Sequence, residues 1–212
     1  MKPNFLIFVV DQMQSYCLGC NGHQQVRTPN IDALAADGVN FQRGYCNNTV
    51  CMPSRASMIT GLTPRQHGLL TNGNCLPTDV PTVTQTLVDQ GYSTYAAGKL
   101  HLQPNGAPES LESHRAWLAG TVEELPLPYY GFQEVDLVNG HGKPEHHYYR
   151  WLLEHHPEYA ETPKQNIPAE LHMNSWIADR TIEFIERVSS DNIQVSGFSP
   201  QPSSSPFFLW RS

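Results

Sequence analysis

Residues 4–10, Asn-Phe-Leu-Ile-Phe-Val-Val, close with six consecutive apolar side chains and break off at Asp11. A strand that is apolar at successive rather than alternate positions has both faces covered, as in the middle of a parallel sheet with helices on either side. Six apolar residues behind the single cation Lys2 are too few for a membrane span or for the core of an export signal. The run therefore predicts a buried strand that delivers Asp11 and Gln12 to its carboxyl edge, where ligands gather in open parallel sheets.

The chain then alternates helix and strand patterns. Thr28-Pro29-Asn30 opens a helix with Thr28 as N-cap, Pro29 at the first position, Ile31, Leu34 and Ala35 on one face and Gly38 past the end. Val39–Tyr45 reads as a second strand. Pro53 starts a helix running to Gly61, Thr82–Gln90 gives another closed by Gly91, and Tyr92–Ala97 is a strand stopping at Gly98-Lys99. From about 103 to 170 the pattern decays into Pro, His and Tyr-rich sequence with only a short helix near Tyr148–His155, which predicts loops over one sheet face. Residues 171–188 regain helical period, a polar Ser/Pro stretch fills 196–206, and Pro206–Trp210 begins one more buried strand. This order predicts an α/β layered fold with a mainly parallel central sheet, in three stretches: a 1–102 core, a 103–170 loop-rich insertion, and 171–212 as a helix and the start of a further strand. With 39% apolar residues the chain has enough material for a core.

The formal net charge of -7 argues against a phosphate-backbone binder, which concentrates Lys and Arg. The expectation is no nucleic-acid partner and no membrane. The five cysteines have no zinc-finger spacing, and Cys17 and Cys20 form a lone Cys-x-x-Cys, so reduced thiols in a cytoplasmic protein are expected. His141, His146, His147, His155 and His156 are open between lining a substrate pocket and belonging to a solvated loop.

Three polar segments fall at predicted strand or helix edges. In Cys51-Met-Pro-Ser-Arg-Ala-Ser-Met-Ile-Thr-Gly61, Pro53 at a helix start places residue 51 beside free backbone N–H groups and the positive end of the helix dipole, and Arg55 lies one turn on. Taken alone, Cys51 is equally a buried thiol before an ordinary helix. Asp11-Gln12 ends the first strand. Gly98-Lys99-Leu100-His101 ends another; two residues apart on an extended segment, Lys99 and His101 would point the same way, though each by itself reads better as an exposed Lys and a loop His.

Together these segments resemble the formylglycine-dependent sulfatases, through the Cys-x-Pro-Ser-Arg core with its later Gly, the Gly-Lys-x-His segment and the acidic pair after the first strand, here with Gln as its second member. Arg27–Asp32 and Gly61–Gly68 extend the resemblance, which is dense over residues 3–104 and thin beyond. It implies the alkaline-phosphatase-like fold, incomplete at the C-terminus. It implies too that a formylglycine-generating or anaerobic sulfatase-maturing enzyme converts Cys51 to formylglycine, whose hydrate attacks the sulfur of a sulfate ester. In the same terms Arg55, Lys99 and His101 are catalytic, and Asp11, Gln12 and residue 51 are ligands of one calcium ion. The implied partner is a sulfate-ester small molecule or a sulfated glycan. The resemblance also implies further metal and sulfate ligands that these residues do not match, so that a truncated, inactive chain is expected. A phosphonate or phosphodiester hydrolase of the same superfamily and a non-catalytic remnant that binds sulfated ligands are the alternatives.

Overall fold

Four strands pair in parallel in the order β1-β4-β2-β3, where β1 is Phe5–Phe8, β2 Ser93–Gly98, β3 Glu134–Leu137 and β4 Phe207–Arg211. The computed structural model that carries them describes residues 2–140, 144–161, 166–190 and 205–212. His141 and positions 196–204 of the polar stretch lie outside these residues. Helices α1 Pro29–Asp37, α2 Cys51–Thr60, α3 Pro64–His67, α4 Val83–Asp89, α5 His114–Leu118, α6 His146–His155, α7 Pro157–Ala160 and α8 Met173–Ser190 complete the order. The chain divides into two compact units, one of Met1–Phe8 with Asn47–Ser212, the other Val9–Cys46.

In the larger unit, β4 is the hinge of the sheet: Leu6 pairs with Leu209 on one side, and Tyr95 with Leu209 on the other. Its run Phe207–Trp210 is apolar on both faces because it lies between two strands, with Phe208, Leu209 and Trp210 each under 5% exposed. One face of the sheet presents Tyr95, Ala97 and Leu209 to Trp176, Ile177 and Phe184 of α8 and to Tyr148 and Leu152 of α6, which form a single apolar core. Helix α4 begins as its sequence predicts, with the Thr82 hydroxyl accepting from the Gln85 N–H at 3.1 Å.

Three expectations change. The first strand ends at Phe8, not Val10, and is not buried on both faces: Phe5, Leu6 and Phe8 are 42, 54 and 53% exposed. It pairs only with β4, so one flank has no partner among the described residues. Within the stretch expected to be loops, β3 adds a strand at the opposite edge, where the alternation Glu-Val-Asp-Leu disguises it as polar sequence. Val39–Tyr45 forms no strand. Val39, Phe41 and Tyr45 are 76, 81 and 90% exposed, since residues of high β propensity become a strand only where a neighbour supplies ladder partners.

The smaller unit is organised around Asp32 at the start of α1. Its Oδ1 accepts from the Cys20 N–H at 2.7 Å and from the Thr28 hydroxyl at 2.9 Å, and that hydroxyl accepts from Gly19 N–H at 2.9 Å. Thr28 is the N-cap residue, but its side chain serves the preceding loop rather than the helix.

Candidate active site

Because all four strands run parallel, their carboxyl ends share one edge of the sheet, and α2 is fastened there. Buried Arg55, 3% exposed, donates from Nη1 to the Lys99 carbonyl just past β2 at 2.6 Å and from Nη2 to the Ser212 hydroxyl just past β4 at 2.8 Å. The Trp210 indole N–H donates to the same Lys99 carbonyl at 3.2 Å and its ring lies under the guanidinium. A guanidinium offers five donors in a fixed fork, so these two bonds set its plane.

Cys51 is the first residue of α2 and is half-buried. The helix thus starts two residues before Pro53, which alters the expected set of free amides: Met52 N–H donates to Asn72 Oδ1 at 3.2 Å, and residue 53 has none. The other end of the same amide, Asn72 Nδ2, lies 3.6 Å from Cys51 Sγ. Asn72 therefore caps the helix and contacts the candidate nucleophile at once. It was absent from the sequence reading, because an Asn in the polar turn Thr71-Asn-Gly-Asn-Cys75 has no fixed spacing from the motif. At its other end α2 closes on Gly61 in the left-handed region, φ +70°. The middle of the helix is held by His67. The His67 Nδ1 accepts from Leu69 N–H at 3.1 Å, so the proton is on Nε2, 3.1 Å from the Ser57 hydroxyl. Burial lowers the His67 pKa and keeps it neutral.

Lys99 and His101 do not lie on an extended segment as expected. The strand stops at Gly98, whose φ is +96°, and His101 takes φ +53°, so the chain turns twice over four residues. A Cβ on Gly98 would stand 1.8 Å from the Ser212 carbonyl oxygen, which is why only glycine serves at this exit. Lys99 is 5% exposed and its N–H donates to Ser212 O at 3.2 Å. The structure thus brings Arg55 and the Lys99 main chain into direct contact, with Cys51 one helical turn before Arg55 and His101 two residues after Lys99.

Asp11 and Gln12 belong to the Val9–Cys46 unit. They form a turn after β1, Asp11 half-buried, Gln12 exposed and in the left-handed region at φ +59°. A non-glycine residue held there costs about 1–2 kcal/mol. Among the described residues no group of three or more His, Cys, Asp or Glu is placed to hold a metal ion.

The model of the Sulfatase family matches residues 3–133. The chain belongs to the sulfatase family. It is 37% identical to an arylsulfatase of Clostridium perfringens over 105 residues, 49% of this chain and 22% of that protein. It is 36% identical to an ulvan-active sulfatase of Formosa agariphila over 128 residues, 60% of this chain and 25% of that one. The matched sulfatase sequence thus spans about a quarter of these relatives. Among solved structures, the phosphonate monoester hydrolase of Agrobacterium radiobacter has a TM-score of 0.68 at 24% identity over 99% of this chain and 41% of its own. The fold is the α/β, alkaline-phosphatase-like one, and the family's members are sulfuric ester hydrolases.

Proposed function

We propose that these residues carry the nucleophile-bearing part of a sulfuric ester hydrolase site. The observation that carries the reading is the Cys51-Met-Pro-Ser-Arg55 motif on a helix whose arginine is bonded to the Lys99 exit of β2, at the carboxyl edge of a parallel sheet. Cys51 Sγ stands where the oxygens of a hydrated formylglycine would be, and that hydrate would supply an oxygen nucleophile towards sulfur. Around it Asn72 holds an amide N–H within reach of the same atom. Arg55 and Lys99 bring positive charge to the sulfate oxygens, and His101 exchanges a proton near the nucleophile or leaving group. The maturing partner is a formylglycine-generating or anaerobic sulfatase-maturing enzyme. A sulfated glycan is the favoured substrate class, in keeping with the ulvan-active relative.

Calcium is the cation this reading calls for, yet it takes six to eight oxygen ligands. Asp11 and Gln12 offer a carboxylate and one amide oxygen, which falls well short of a shell. For the same reason a polypeptide confined to residues 1–212 is expected to show no measurable turnover.

The test is co-expression with the maturing enzyme followed by peptide mass spectrometry. Residue 51 should appear as an aldehyde while Cys17, Cys20, Cys46 and Cys75 remain thiols. Unmodified Cys51 under conditions that convert a control sulfatase would sink the reading. A phosphonate or phosphodiester substrate is the second reading, favoured by the likeness to the Agrobacterium hydrolase. It predicts that a phosphonate monoester displaces sulfate from the site with the higher affinity.

A further inference from the structure

Glu112 is the most completely enclosed carboxylate of the described residues, with no exposed surface. Among the described residues no lysine or arginine is bonded to it. Instead its Oε1 accepts from the backbone N–H of Leu102 at 3.0 Å, the N–H of Gln103 at 3.2 Å and the Tyr129 hydroxyl at 2.9 Å, and its Oε2 accepts from Asn139 Nδ2 at 2.6 Å. Three donors thus converge on Oε1 and one on Oε2. Three of the four can only donate, so the arrangement is built for an acceptor. Burial pushes the Glu112 pKa above the ordinary carboxylate value, and these same bonds offset only part of that rise.

The partners are not scattered. Leu102 and Gln103 directly follow His101 on the exit of β2, and Asn139 follows the exit of β3. Glu112's own carbonyl accepts from His146 Nε2 at 3.0 Å, so the start of α6 is tied to the same point. A buried carboxylate is costly, and removing one partner from such a network leaves others unsatisfied. The two left-handed residues Gly98 and His101 make the intervening segment one that nothing in regular structure would hold.

We infer that Glu112 is a positioning residue for the candidate site: as the common acceptor of Leu102, Gln103, Tyr129 and Asn139 it fixes the Lys99–His101 segment against the exits of β2 and β3. This rests on the sulfatase reading for what the segment binds, but not for how the segment is held. Glutamine at 112 is the informative replacement. Its carbonyl keeps the three donors on the Oε1 side, and its NH2 meets Asn139, whose Oδ1 has no hydrogen-bond partner among the described residues and becomes the acceptor if the amide flips.

The experiment compares the 212-residue chain with Glu112→Ala, Glu112→Gln and, as a control, Glu109→Ala at an exposed position, by residue-resolved amide exchange and by titration with sodium sulfate followed at the Lys99 and His101 resonances. Glu112→Ala should lower protection of the Leu102 and Gln103 amides by about tenfold or more with α8 amides unchanged. It should also weaken sulfate binding about tenfold. Glu112→Gln and Glu109→Ala should match the parent in both. Unchanged protection at Leu102 and Gln103 in Glu112→Ala overturns the inference. A uniform loss that includes α8 overturns it too, since Glu112 would then serve the core as a whole, as does lost protection with undiminished sulfate affinity. If the parent chain binds no sulfate, it is the sulfate reading that fails, and the exchange pattern alone still decides for or against Glu112.

Discussion

Asn72 does two things with the two ends of one amide, and substitution separates them. Asn72→Ala removes both the acceptor for Met52 N–H and the donor to residue 51, and should cost about 0.5–2 kcal/mol in urea unfolding, the usual loss for a helix cap. Asn72→Asp keeps the acceptor at a helix N-terminus, where an anion is favoured, and should leave stability within about 0.5 kcal/mol of the parent. It should nonetheless weaken sulfate binding as much as alanine does, because the donor is gone and a negative charge has replaced it. Equal sulfate affinity in the parent and Asn72→Asp would remove this residue from the site. A second residue prediction concerns pH. Burial pushes the His146 pKa down to about 3, with His114, His147 and Arg150 adding to the shift and the Glu112 carbonyl opposing it. Unfolded, the imidazole titrates near pH ~6.5. Between those values the unfolded chain takes up a proton that the folded chain refuses, so stability falls as the pH drops, by at most about 1.4 kcal/mol per unit, and is unaffected above about pH 7. His146→Gln should lose less stability than the parent between pH 7 and 5 when both are unfolded with urea. Identical losses would show that His146 does not carry the slope. The motif residues were legible because their chemistry fixes their spacing; Asn72 and Glu112 were not, because their roles arise only when the exits of separate elements meet.

At the scale of elements, the sequence announced strands and helices whose partners are close and regular, and hid those whose identity depends on the neighbour. Helix α4 and strand β2 begin and end near their predicted limits because Thr82, Gly91 and Gly98 are local signals. Strand β3 is recognisable only beside β2, where Tyr95 pairs with Glu134 and the Tyr95 hydroxyl meets the Asp136 carboxylate. Its polar residues have partners, Glu134 in Arg187 and Asp136 in Tyr95. The exit of β2 yields the corresponding prediction. Gly98→Ala combines a φ of +96° with a Cβ placed 1.8 Å from Ser212 O, so either the turn or the end of β4 must move, and with it the hydroxyl that Arg55 holds. The cost should exceed about 2 kcal/mol in chemical denaturation, the left-handed penalty alone accounting for about half of it or more. Gly106→Ala, where a Cβ meets nothing within 4 Å, should be neutral or stabilise by up to about 1 kcal/mol. Similar effects at both positions would mean that the exit tolerates a side chain and that the contact is not restrictive.

For the whole molecule the telling discrepancy is β1. Its unbroken apolar run reads as a strand covered on both faces and paired on both flanks, yet among the described residues it has β4 on one side and nothing on the other. Phe5, Leu6 and Phe8 remain 42, 54 and 53% exposed, on opposite faces of the strand. Unpaired backbone N–H and C=O groups flanked by apolar side chains are a template for another strand, and proteins usually blunt such edges with a charge. Here Arg211 places its guanidinium 4.1 Å from the Phe8 ring centroid, yet Phe8 and Leu6 stay 53 and 54% exposed. The chain's net charge of -7 opposes association only at long range and is screened within about 8 Å at physiological salt. The apolar edge should therefore win, and the 212-residue polypeptide should self-associate as its concentration rises. Placing a cation on the exposed strand, Leu6→Lys, costs little burial in the monomer, since the side chain is already half in water, and makes a like-charged neighbour of every copy that pairs through this edge. Light scattering over a concentration series should show growing mass for the parent and a smaller, later rise for Leu6→Lys, with the β-sheet circular dichroism of the two unchanged at low concentration. A parent chain that stays monomeric throughout the series would show that β1 is already covered in solution; equal association in the variant would move the contact to another surface.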